Sequence, residues 1–217
     1  MNSSLHRIFL VFLVSIIMGV LFLPGTGFGE GQEIISLHHM TVKASQEKET
    51  LFRETALDLK QKVMAEKFKN VNSKLEDYEA HKFSEYVLEA SRTFGIDPFL
   101  IASIMIKESN LRYKARSRSA AYGLMQINWK VHRENIRKTF SQVRDLPDII
   151  QPRNNILVGT YIFSSYLNSS KGDVTKALSR YLGSSGKKYI AGVLKHHQDM
   201  SKAYSSRIRG VTKEKVS

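Results

Sequence analysis

Cysteine is absent from the 217 residues. That excludes a disulfide framework, a zinc–thiolate site and a cysteine nucleophile, and with them the cysteine-linked lipid anchor of a bacterial lipoprotein. Proline is scarce, with four residues, and clear strand-like alternation is missing. The expected fold is all-α, or mainly helical. Acidic residues are also in deficit: 33 Lys and Arg face 20 Asp and Glu, for a formal charge of +13. Residues 1–79 hold 9 basic and 10 acidic groups, whereas residues 80–217 hold 24 and 10. The second part should therefore be drawn to an anionic polymer, whether nucleic acid, an acidic membrane surface or a cell-wall glycan. His38–His39 and His196–His197 are adjacent pairs. Helical neighbours point about 100° apart, so neither pair forms a chelating face, and no metal or cofactor is expected.

The N-terminus reads as an export signal. His6 and Arg7 precede the apolar run Ile8–Leu23, and Gly27 and Gly29 suit a cut before Glu30. Residues 1–29 are thus a signal peptide or an N-terminal anchor, with membrane association through residues 8–23 in the second case. Sixteen helical residues span about 24 Å, less than a hydrocarbon core of about 30 Å, which favours cleavage. Either way the rest of the chain is exported, to the periplasm or cell envelope. An exported chain argues against nucleic acid as the partner of the basic region.

Residues 30–50 have no apolar period and read as a linker. From Leu51 the pattern turns helical: Leu57, Met64, Phe68, Val71, Leu75 and Tyr78 form a stripe. Such a helix could dock an envelope partner or lie on the domain's own core, and its few heptads favour the core. It is expected to lie outside the main domain. Phe83, Val87, Ala90 and Phe94 share the next helical face, which Gly95 terminates. Asp97 and Pro98 are an N-cap acceptor and a first-turn proline. "FLIASIMIK" is apolar all round, so its helix should be buried. Further helices are expected at Val131–Phe140, Asn154–Leu167, Val174–Leu182 and Lys187–Tyr204. The expected order is a linker and amphipathic helix over 30–79, a main domain over 80–205 and a basic, flexible tail over 206–217. Tyr161, Phe163 and Tyr166 read as core, while Trp129 could be core or cleft wall.

Glu108 ends the apolar helix, and the next acid is Glu134. Ile101 and Ile104 share its face. Burial and the negative helix terminus both disfavour its ionised form, so its pKa should rise. A carboxylic acid protonated near neutral pH can donate to a glycosidic oxygen. Around it lie Ser109, Ser117 and Gln126, which can hydrogen-bond sugar hydroxyls and amides. Tyr113 and Tyr122 could lie along a sugar face. Arg112, Lys114, Arg116 and Arg118 form a basic run that could meet the carboxylates of wall peptides.

Glu108-Ser109, followed after a gap by Gly123-Leu124-Met125-Gln126-Ile127, resembles the soluble-type (SLT) lytic transglycosylases, whose fold is related to goose-type lysozyme. Asn155, Ile156 and Gly159 in "NNILVGTYIFSSYL" continue the likeness. So do Ala177, Leu178, Tyr181 and Gly183 in "ALSRYLGS", and Tyr189, Val193 and Leu194 in "KKYIAGVL". The resemblance runs in unbroken order over roughly residues 80–200. It implies that Glu108 is the catalytic acid and base, and that Ser109 and Ser117 help to hold the substrate. It also implies that Met125 and Gln126 line the saccharide cleft and that the Tyr181 hydroxyl stands near the acid. Two departures are evident: Ala120 stands where the family usually has Gly, and Leu182 where it has Asn.

The resemblance also explains why one carboxylate suffices. Most glycosidases use two, but a MurNAc residue carries its own N-acetyl group. Glu108 would protonate the oxygen between MurNAc and GlcNAc, then take the proton of the C6 hydroxyl as a 1,6-anhydro ring closes. The expected partner is the peptidoglycan glycan strand. Two rivals stay open: a muramidase of goose-lysozyme type, with Glu134, Asp145 or Asp148 folded back as a second acid, and a non-catalytic wall-binding scaffold.

Overall fold

The computed structural model describes residues 28–214, with side chains described for 38–211. Among these residues there are eight helices and one two-stranded sheet: α1 (Phe28–Val71), α2 (Asp77–Phe94), α3 (Pro98–Ser109), β1 (Ala121–Tyr122), β2 (Ile127–Asn128), α4 (Trp129–Thr139), α5 (Leu146–Ile150), α6 (Pro152–Ser169), α7 (Val174–Leu182) and α8 (Lys187–Glu214). The helical fold is the one the sequence implies. Most of the segment read as an export signal lies outside the described residues.

The start of α1 corrects the linker reading of residues 30–50. That stretch is helical, and its described side chains are exposed, Met40 at 65% and Leu51 at 54%. An apolar period reports burial, not helicity. A helix with nothing to cover has no reason to show one.

Residues 53–217 form one compact unit. The C-terminal part of α1 belongs to its core, since Met64 and Phe68 are fully buried in the cluster that holds Phe83 and Ile101. This corrects the expectation of a helix outside the catalytic domain, and it removes the motive for a partner on that face. The helix stops at Val71, short of residue 79. Asn72 turns the chain, and Glu76 starts α2 with a reciprocal capping box to Glu79. Tyr78, placed on the stripe by periodicity, is 69% exposed beyond that break.

α3 is the central helix. Asp97 accepts from the N–H groups of Phe99 and Leu100, and every residue from Pro98 to Ile106 is buried. It packs against α8 and α2, α2 packs on α6, and α7 packs on α6 and α8. α8 continues to Glu214, which corrects the flexible-tail reading for residues 206–214; the last three residues lie outside the described residues. Arg207 grips Glu66 on α1 through two hydrogen bonds, of 2.9 and 2.6 Å, so the terminal turns have a partner.

β1 and β2 pair antiparallel, Ala121 opposite Asn128 and Tyr122 opposite Ile127. Two residues per strand are too few to leave an alternating pattern in sequence.

Candidate active site

Glu108 occupies the last turn of α3, where the helix surfaces. Asn110 and Leu111 both take left-handed backbone, φ 51° and 63°, and turn the chain sharply away. Ser109 is 1% exposed: its hydroxyl donates to the Met105 carbonyl and accepts from the Leu111 N–H. Burial thus ties Ser109 to shaping the helix end, which corrects its reading as a substrate contact. Ser117 lies in the following loop. Its hydroxyl accepts from the Ala121 N–H and meets Ser119 at 3.0 Å.

The Glu108 carboxyl has its pKa pushed up to about 7. Burial is the main cause. A hydrogen bond from Tyr189 and the charge of Lys107 oppose it. The Tyr189 hydroxyl donates to Glu108 Oε1 at 2.6 Å. Its own pKa is raised, first by burial and then by the Glu108 charge, so it stays a donor. The Tyr181 hydroxyl makes its hydrogen bond to a backbone group. It donates to the Met125 carbonyl at 2.8 Å, and its ring meets the edges of Phe163 and Tyr166. Tyr181 still senses the acid, since the Glu108 charge is the second cause of its raised pKa. The tyrosine bound to the acid is Tyr189, on α8.

The turn from Gly123 to Gln126 is joined to this region through the Tyr181–Met125 hydrogen bond, and Asn155 of α6 bolts it in place. Asn155 is fully buried. Its Oδ1 accepts from the Met125 N–H at 2.7 Å, and its Nδ2 donates to the carbonyls of Tyr122 and Ile149. Gly123 has φ 79°, and a Cβ there would come within 2.2 Å of the Asn155 amide. Both conformation and space therefore demand glycine. Gly159 admits the Met125 side chain in the same way, with a Cβ falling 2.4 Å from the Met125 Cβ. Met125 is accordingly core, 0% exposed, and it serves the cleft through its backbone. This corrects its reading as a lining side chain. Gln126 is half-buried, at φ 49°, and its amide nitrogen donates to the carbonyls of Gly123 and Ala115. Ala120 sits at φ 57°, which is a physical reason for a glycine at that place.

Residues 85–203 match the Transglycosylase SLT domain. The chain belongs to the transglycosylase SLT domain family. Within 106 residues it is 38% identical to a membrane-bound lytic murein transglycosylase C of Photorhabdus laumondii, covering 48% of this chain and 30% of that protein. A protein of the same name from Yersinia pestis is 33% identical over the same shares. The chain thus spans under a third of the length of the curated relatives it matches. An inactive mutant of the lytic transglycosylase Slt from Pseudomonas aeruginosa aligns at 18% identity, with a TM-score of 0.44, over 59% of this chain and 24% of that one.

Two residues of this SLT domain escaped functional reading from sequence. Tyr189 and Asn155 both fall on motif positions, but only packing brings Tyr189 to Glu108 and Asn155 to the Gly123–Gln126 turn. The three other acids considered for the site are occupied elsewhere. Asp145 caps α5 by accepting from the Asp148 N–H, Asp148 accepts from the Arg144 backbone, and exposed Glu134 pairs with Arg133. Trp129 packs partly on the core, with Arg137 over its ring at 5.6 Å. Phe163 is core, and Tyr161 and Tyr166 are packed against it.

Proposed function

We propose that this protein is a peptidoglycan lytic transglycosylase of the cell envelope. It cleaves the MurNAc-β-1,4-GlcNAc bond and leaves a 1,6-anhydroMurNAc end. The observation that carries this reading is Glu108: a half-buried carboxyl with a pKa of about 7, hydrogen-bonded to Tyr189, with Glu134, Asp145 and Asp148 engaged elsewhere. A group balanced near neutrality can both give and take a proton.

The protonated Glu108 donates to the bridging oxygen, and the GlcNAc leaves with that proton. The substrate's own N-acetyl group stabilises the electron-poor C1. The carboxylate left behind is steadied by the Tyr189 hydroxyl. It then takes the C6 hydroxyl proton while O6 attacks C1. One proton goes in, one comes out, and no water is consumed. Tyr181 supports the cleft by fixing the Met125 carbonyl, and Gln126 and Ser117 supply polar groups along it. Export and an envelope location fit this substrate, as does the name of the relatives, membrane-bound lytic murein transglycosylase.

Digestion of sacculi followed by mass spectrometry tests the reading. The expected products are anhydroMurNAc-ended muropeptides. Reducing ends, heavier by one water, would mean a muramidase, and no release would mean a wall-binding scaffold.

A further inference from the structure

We infer that the loop between Glu108 and Gln126 is a charge reader, which makes the enzyme prefer glycan strands whose peptide stems carry free carboxylates. This deepens the function proposed above and rests on it. Lys114, Arg116 and Arg118 are exposed on the segment that leads into the hairpin. No acid occurs in sequence between Glu108 and Glu134. Several surface cations elsewhere are matched: Lys62 with Asp58, Lys82 with Glu85, Lys195 with Asp199, Arg153 with Glu89 and Arg207 with Glu66. Among the described residues none of the three loop cations forms an ion pair. The loop therefore holds concentrated positive charge free for an anionic ligand.

Two of the cations are also held in place. The Arg116 guanidinium lies 5.5 Å from the centre of the Tyr122 ring, and the Lys114 ammonium 5.2 Å from that of Tyr113. Stacking on a ring restrains a long side chain and leaves its polar edge open. The loop itself is fastened to the cleft. The Ala115 carbonyl accepts from the Gly123 N–H at 2.9 Å and from the Gln126 side chain, and Arg116 bridges to Tyr122. A strand placed for protonation by Glu108 would thus run beside these cations, two of them restrained. Its sugars are neutral apart from their peptide substituents, so the carboxylates of those stems are the anions within reach.

The full chain is tested on three forms of one sacculus preparation: intact, stripped of stems by an amidase with the lactyl carboxylates so freed then capped as neutral amides, and with stem carboxylates capped as neutral amides. Rates of anhydro-product release and co-sedimentation with the insoluble wall are both measured, at low and high salt. The wild type should favour intact wall over the stripped and capped forms by about tenfold at low salt, the size expected of three exposed charge pairs, and less at high salt. Lys114→Gln/Arg116→Gln/Arg118→Gln should lose the preference while keeping its rate on stripped glycan. A variant with equal charge removed elsewhere, Lys74→Gln/Lys138→Gln/Lys202→Gln, should keep it. Equal co-sedimentation of the wild type with all three walls overturns the inference whatever the turnover. So does a preference for intact wall that survives capping. Absence of anhydro product from every form would instead overturn the proposed activity, and co-sedimentation would still decide the charge reading.

Discussion

Tyr189 donates a 2.6 Å hydrogen bond to Glu108 across 81 residues of sequence. It joins the end of α3 to the start of α8 at the carboxyl proposed as the acid. The bond favours the ionised acid, and burial favours the neutral one. Burial prevails, and the result is a pKa of about 7.

Tyr189→Phe removes the group that lowers the Glu108 pKa, so that pKa should rise further. Cleavage needs Glu108 protonated and falls as pH rises through its pKa. The alkaline limb of the pH–rate profile should therefore move to higher pH, with the maximal rate reduced by about tenfold as the carboxylate loses its donor. A profile that keeps its position would show that Tyr189 does not tune the acid.

Glu108→Gln should reduce release of product by roughly 10²–10⁴ while leaving wall binding near wild type. Its stability should also report the pKa. Glu108 is raised from 4.5 to about 7 in the fold, so the folded state holds its proton more tightly. The stability tied to that proton is complete below about pH 4.5 and lost as pH climbs through about 7. Gln carries no such dependence. Relative to wild type, the variant should gain up to about 3 kcal/mol between pH 4.5 and pH 8. Denaturation curves at the two pH values give the comparison, and a constant difference would contradict the shifted pKa.

Asn155→Ala strips hydrogen bonds from three backbone groups, two of them in fully buried residues. The expected loss is about 2–4 kcal/mol of stability, with activity reduced beyond the folded fraction because the Gly123–Gln126 turn loses its bolt. Gly123→Ala should cost a comparable amount, since its Cβ would strike the Asn155 amide. The double variant should cost less than the two singles combined, as expected for residues in contact. Additive costs would mean that they do not share one constraint.

Ala120→Gly should stabilise the protein by about 0.5–1 kcal/mol, because Ala at φ 57° carries a steric penalty that glycine lacks. The penalty outweighs the extra freedom that glycine gains in the unfolded chain. Urea unfolding measures it, and a destabilised variant would show that the loop is not strained there.

Much of this was legible in one sequence because local signals carry it. Asp97, Pro98 and Gly95 mark helix ends through groups within three residues of each other, and the all-apolar "FLIASIMIK" can only be a buried helix. Glu108 stood out by the same logic: a lone acid on an apolar face has few reasons to be there. The motifs in unbroken order then pointed to the family. The limits were equally physical. Helicity without burial leaves no period, so the exposed start of α1 read as linker. Two-residue strands leave no alternation. Above all, a side chain's direction is set by what it packs against. The serine beside the acid turns inward to the helix end, Met125 fills the space that Gly159 leaves, and Tyr181 spends its hydroxyl on a carbonyl while Tyr189 takes the acid. The sequence by itself determined which carboxyl would be protonated and which residues would surround it. Only the tertiary structure, by packing α8 against α3, decided which of them touches it.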